Sequence, residues 1–162
     1  MSWGISGMCG EIADHIDDQL SGLRSLGINR ANLTKLSLST REKARSIETL
    51  SDIELKDLQS RLAANGVQCY CVTSPVAKYS VDTDARLVSQ QLERSIVAAN
   101  ILQARYLRIF SFAVRDGSDN PTDRDQIHRA FEGIVRTIET LGTGVIPLLE
   151  NNYRMYAADG PS

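Results

Sequence analysis

The stretch Leu62-Ala63-Ala64-Asn65-Gly66-Val67-Gln68-Cys69-Tyr70-Cys71-Val72-Thr73-Ser74-Pro75 decides the fold. Its first part ends a helix whose inner face is Leu55, Leu58 and Leu62, recurring at helical spacing. Asn65-Gly66 is the stop, because glycine enters the left-handed backbone region at little cost. Residues 67–73 are a continuous β-prone run, as expected of a strand covered on both faces. Ser74-Pro75 ends it, since proline has no N–H to give a central ladder. Upstream, Ser51 followed by Glu54 predicts a capping box that starts the helix.

The same helix, turn and strand recur along the chain at about 38 or 39 residues. The turns fall at Gly27, Gly66, Ala104 and Gly142, with Ile28, Val67, Tyr106 and Val145 opening the strands. The strands end in polar residues near Asn32, Ser74, Ser111 and Glu150. Ile12, Ile16, Leu20, Leu23 and Leu26 mark the first helix. Val88, Leu92, Ile96, Ala99 and Leu102 mark the third, over 84–103. Ile127, Phe131, Ile134, Ile138 and Leu141 mark the fourth. Residues 3–6 are a short apolar stretch read as a first strand, and the polar segment 34–49 reads as a loop.

Helical crossovers between parallel strands are right-handed. Five strands and four helices in this order predict an α/β architecture, an open parallel sheet with helices outside. All polar strand ends then share one edge, where such proteins keep their chemistry. At 162 residues the chain supports one domain, short of the roughly 250 of a closed (β/α)8 barrel. It reads as the front part of a barrel, truncated after strand five. The last strand leaves an unpaired edge, so self-association through that open edge is an alternative.

The net charge of −2 and pI near 5.7 supply no basic patch for nucleic acid or an anionic membrane. There is no leader pattern and no apolar run of membrane-spanning length, so a cytoplasmic protein is expected. Cys69 and Cys71, two apart in a strand, are expected on one face as small hydrophobes. With Cys9 they make three cysteines, without metal-type Cys/His spacing.

Glu150, beside Asn151 and Asn152, is a carboxylate at a strand end. It can ligate a hard divalent ion or act as a general base; equally, it can meet an arginine or cap a helix. Lys78, in Ser74-Pro75-Val76-Ala77-Lys78, can hold a phosphate or hydroxyl or stabilise an enediolate, against the plainer reading of a solvated loop lysine. Arg108 lies inside the fourth strand. Alternation groups it with Tyr106, Phe110 and Phe112; an inward guanidinium there needs a carboxylate partner, and the plainer alternative is an edge-strand arginine reaching solvent. His15 and His128 are expected on helix surfaces, and Asp14, Asp17 and Asp18 as helix starters. Trp3 and Tyr153 could wall a sugar pocket or simply pack.

Three segments taken together, Ser74-Pro75-Val76-Ala77-Lys78, Leu107-Arg108-Ile109-Phe110-Ser111-Phe112 and Leu148-Leu149-Glu150-Asn151, resemble the sugar phosphate isomerase/epimerase family of xylose isomerase-like TIM barrels. The match runs in order through strands three, four and five. The resemblance implies that Glu150 is the first ligand of a divalent metal, manganese or magnesium, and the candidate base. Lys78 and Arg108 would be electrostatic helpers. Ser74, Lys78, Ser111 and Asn151 would contact a sugar or sugar phosphate. The family's other ligands come from strands six to eight, which this chain lacks, and Asn32 stands where many relatives carry a glutamate. The isolated chain is therefore expected not to turn over. An abasic-site endonuclease fits poorly, because it would need several strand-end histidines and a basic groove. A polyol dehydratase would use the same metal site.

Overall fold

A computed structural model describes residues 4–113, 121–141 and 144–150. The chain runs β1 (Gly7–Met8), a 3₁₀ turn, α1 (Ile16–Ser25), β2 (Arg30–Leu33), β3 (Lys35–Leu36), β4 (Arg45–Ser46), a second 3₁₀ turn (Ile47–Thr49) and α2 (Asp52–Ala64). It continues through β5 (Gln68–Thr73), α3 (Ala85–Ile101), β6 (Tyr106–Phe110), α4 (Pro121–Thr140) and β7 (Ile146–Glu150). Five strands form one parallel sheet in the order β1-β2-β5-β6-β7, while β3 and β4 make a separate antiparallel pair. Among the described residues no helix is long and apolar enough to cross a membrane.

One helix ending recurs three times. After α1, Gly27 is left-handed at φ 67°, and the Ile28 N–H donates to the Leu23 carbonyl at 2.9 Å. After α2, Gly66 is left-handed at φ 64°, and the Val67 N–H reaches the Leu62 carbonyl at 3.0 Å. After α3 the left-handed residue is Gln103, at φ 54°, and the Ala104 N–H reaches the Ala99 carbonyl at 2.9 Å. The third turn therefore centres on Gln103, not Ala104. Ala104 takes the place of Ile28 and Val67, the apolar residue that seals the turn against the helix. Gly142 lies outside the described residues.

The helix-facing side of the sheet carries Leu33, Val72, Leu107 and Ile109, all buried. They share one apolar core with Leu20, Leu23, Leu55, Leu58, Leu62, Leu92, Ile96, Ile134 and Ile138 from the four helices. The Ser51–Glu54 capping box forms as expected, with Ser51 Oγ accepting from the Glu54 N–H and Glu54 accepting from the Ser51 N–H.

Four local expectations are corrected. The first strand is Gly7–Met8 rather than residues 3–6. Ile5 is exposed, while Gly7 lies so close to Leu23 that an added Cβ would sit 2.4 Å from its methyl. Trp3 lies outside the described residues. Segment 34–49 is no bare loop: Leu36 and Ile47 are buried in the core, and Ser37 exchanges main-chain bonds with Asp14 and Ile16 at the start of α1. Ile12 falls before α1, and Leu26 at its end is exposed. Finally, β2 and β5 slip in register, with Ala31 opposite Cys69 and Asn32 opposite Cys71. The extra residue breaks alternation. Cys69 stays in the helix-facing core, whereas Cys71 lies under the influence of Arg108 on the other side of the sheet.

Candidate active site

The register of the parallel strands assembles the site. Thr73 lies opposite Arg108, Arg108 opposite Leu148, and Phe110 opposite Glu150. Leu107 and Ile109 point into the helix-facing core, so Arg108 and Phe110 fall on the concave side. There the Arg108 Nη1 donates to Glu150 Oε2 across adjacent strands. The guanidinium lies over the Phe110 ring, 4.1 Å from its centroid.

Arg108 is held from behind as well. Its carbonyl accepts the Ser74 Oγ–H at 2.7 Å and the Ser74 N–H at 3.1 Å. Ser74 is buried, so its hydroxyl acts as a clamp on β6. The loop after β5 then runs alongside the end of β6. The Phe110 N–H donates to Val76, Phe112 to Ala77 and Ala113 to Tyr79. Ala77 and Phe112 both adopt left-handed backbone, at φ 61° and 59°. Non-glycine residues in that region store strain and concentrate where a site is built. The loop places the exposed Lys78 ammonium 5.4 Å from the same Phe110 centroid.

The structure thus brings Glu150, Arg108, Lys78 and Ser74 to one edge, with half-buried Ser111 directly after Phe110. Asn151, Asn152 and Tyr153 lie outside the described residues. Asn32, on β2, donates its Nδ2 to Ser6 Oγ at 3.1 Å, and its buried Oδ1 has no partner among the described residues. His128 is exposed, but His15 is not the surface residue expected. It precedes α1, pairs with Ser37 and is only 15% exposed at its side chain. Asp17 and Asp18 occupy the first turn of α1, as helix starters do.

Phe110 was not singled out from sequence as a site residue. The available signal was its alternation with Arg108, which predicts a shared face. A cavity of about 390 Å³ opens at the opposite end of the strands, between Ala63, Val67 and Gln103, and carries no charged group. Among the described residues no group of three or more His, Cys, Asp or Glu converges. Glu150 is one carboxylate, already engaged by Arg108, and the residues present do not by themselves fit a divalent ion.

No family model matches the chain, and no curated protein matches it. Solved structures do. A D-tagatose 3-epimerase-like protein aligns with TM-score 0.65 and 16% identity over 95% of this chain and 55% of its own. A 3-keto-D-glucoside 4-epimerase from E. coli aligns with TM-score 0.62 and 11% identity over 90% of this chain and 54% of its own. A xylose isomerase-like TIM barrel protein from Mycobacterium smegmatis, in complex with magnesium, aligns with TM-score 0.61 and 16% identity over 91% and 55%. The chain spans about half the length of these neighbours. The identities are too low to carry activity across, and what they establish is architecture: the chain has the xylose isomerase-like TIM-barrel fold over about half of a barrel's length.

Proposed function

We propose that this chain supplies the front part of a sugar or sugar phosphate isomerase or epimerase, with Glu150 as the carboxylate that moves the proton next to a carbonyl. The observation that carries this reading is the Arg108–Glu150 pair at the concave strand-end edge, in a fold whose neighbours include sugar epimerases. A general base must be held within reach of its proton. Arg108, fixed by Phe110 beneath and Ser74 behind, orients the Glu150 carboxylate. As the proton leaves carbon, charge builds on the neighbouring oxygen; the Lys78 ammonium, 5.4 Å from the Phe110 centroid, is the group we assign to stabilise it.

Glu150 is also the ligand this chain would contribute to a manganese or magnesium ion, the remaining ligands coming from outside the described residues. On this reading the isolated chain does not turn over. The test is a manganese titration followed by electron paramagnetic resonance, with a parallel assay of ketose epimerisation. Weak manganese binding that Glu150→Gln diminishes further, with no product formed, is the expected result. Manganese binding indifferent to Glu150→Gln would overturn the assignment, and turnover by the chain alone would overturn its incompleteness.

A second reading rests on β7, at one end of the sheet, where Ile146, Leu148 and Leu149 are exposed. A non-catalytic half-barrel that pairs with its own copy would cover that edge. A stable dimer by light scattering, with slow amide exchange in β7, would favour it; a monomer with fast exchange there would remove it.

A further inference from the structure

We infer that a band of Arg30, Tyr70, Tyr106 and Arg105 on the concave sheet face is an interface for the strands that complete the barrel, and that those strands bring carboxylates to its arginines. The inference rests on the reading of this chain as the front part of a barrel, and on nothing about its chemistry. The band crosses β2, β5 and β6 at the end of the sheet away from Glu150. The Arg30 guanidinium lies over the Tyr70 ring, 5.1 Å from its centroid. Tyr70 meets Tyr106 edge to face, with the ring centroids 5.1 Å apart. Arg105 closes the row, 5.6 Å from the Tyr106 centroid. Tyr106 precedes Arg108 by two residues and shares its face, so the band lies on the side opposite the helix-facing core.

These arginines are held but unanswered. The Arg30 guanidinium packs so close to the main chain of Gly4 that an added Cβ there would collide with Nη1. Neither Arg30 nor Arg105 makes a side-chain hydrogen bond or ion pair with any described residue, and ring contacts are what hold them. The five strands of the sheet carry one acidic residue, Glu150, and Arg108 already engages it. The chain has a net charge of −2, yet this face is cationic. Inside a closed barrel the sheet face is packed by side chains from all its strands. A guanidinium taken out of water there needs a carboxylate, and its planar fork accepts one in bidentate geometry. The covering strands are the source of that carboxylate. A second copy of the chain is the wrong occupant, because it would set the same arginines against these. Exposed Ile5 and Met8 at one end of the sheet, and Ile146, Leu148 and Leu149 at the other, add apolar contacts to both margins of the interface.

The experiment titrates the chain with two blocked peptides of equal length, one alternating valine and glutamate, the other valine and lysine, each followed by amide chemical shifts. The glutamate peptide is expected to bind at least about tenfold tighter, the scale of one charge-assisted hydrogen bond. Its shifts should centre on Arg30, Tyr70 and Tyr106. Arg30→Met is expected to erase most of that preference, with unmoved helix amides as the sign that the variant folds. Arg86→Met, at an exposed arginine of α3, is expected to leave it unchanged. Equal binding of the two peptides, shifts confined to the helices, or a preference that survives Arg30→Met would overturn the interface. So would a dimer whose concave amides are protected from exchange, which would give the face to a second copy. The expected peptide preference, found together with manganese binding indifferent to Glu150→Gln, would sustain the interface and remove the isomerase reading instead.

Discussion

Replacing Arg108 by Met and Glu150 by Leu, singly and together, should show an asymmetric dependence of the two residues on each other. The Arg108 side chain is 14% exposed and that of Glu150 45%. In Arg108→Met the Glu150 carboxylate gains water, because nearly half of it is already exposed. Methionine keeps an apolar stem over Phe110 and removes a buried Nε–H that has no partner among the described residues, whose burial costs about 1–3 kcal/mol. Against that stand a lost cation–π contact of about 0.5–2 kcal/mol and a half-open ion pair of about 1 kcal/mol. These terms oppose, so Arg108→Met should lower stability by at most about 1 kcal/mol. Glu150→Leu instead leaves a mostly buried guanidinium uncompensated. That costs about 3–5 kcal/mol in a sealed core, reduced here to about 2–3 kcal/mol by access through the Glu150 side. The double variant should resemble Arg108→Met, giving a coupling of about 2–3 kcal/mol. Urea unfolding of the four proteins measures all three values. Arg108→Met proving costlier than Glu150→Leu would refute the reasoning.

Four further outcomes are expected. Gln103→Gly should raise stability by about 0.5–1 kcal/mol in thermal unfolding, because Gln103 holds the left-handed position that Gly27 and Gly66 hold elsewhere. Ser51→Ala should cost about 1 kcal/mol by removing a cap of α2. Hydrogen bonds from the Ser51 N–H and Arg45, in that order, lower the Glu54 carboxyl to about 2 from its ordinary 4.5. A depressed carboxylate stabilises the fold above its unfolded value, so this contribution should be lost as pH falls from 4.5 towards 2. A Glu54→Gln variant should lack that acid-dependent loss in a pH series of urea midpoints. Burial raises the Glu48 carboxyl, so the sign reverses there. The native state favours its protonated form, and stability falls as pH rises past the ordinary value. Glu48→Gln should therefore gain stability at neutral pH relative to pH 4, and an unchanged difference would contradict the burial argument.

Much of the architecture was legible because local chemistry and global fold agree. Gly27, Gly66, the Ser51–Glu54 spacing and the run 67–73 each specify an element without tertiary help. Gln103 shows the limit: nothing local marks it as left-handed, and the helix–strand closure through Ala104 and Ala99 imposes that conformation. The Cys69–Cys71 expectation failed because alternation assumes an unbroken register, and a slip between strands leaves no signature in either one. At the site, the pairing of Arg108 with a carboxylate followed from the cost of an unpaired inward guanidinium. The clamp from Ser74 did not follow, since its acceptor is a main-chain carbonyl 34 residues away. His15 was misread for a similar reason, because the segment that covers it is remote in sequence.

The coding frame beyond the Ser162 codon tests the central claim most directly. The account predicts that it continues with helix–strand units at a spacing of about 38 residues, placing Asp, His and Glu at strand ends to complete the donor set that Glu150 begins. A stop codon directly after Ser162 would contradict it, leaving a half-barrel whose Glu150 never meets the groups an isomerase requires.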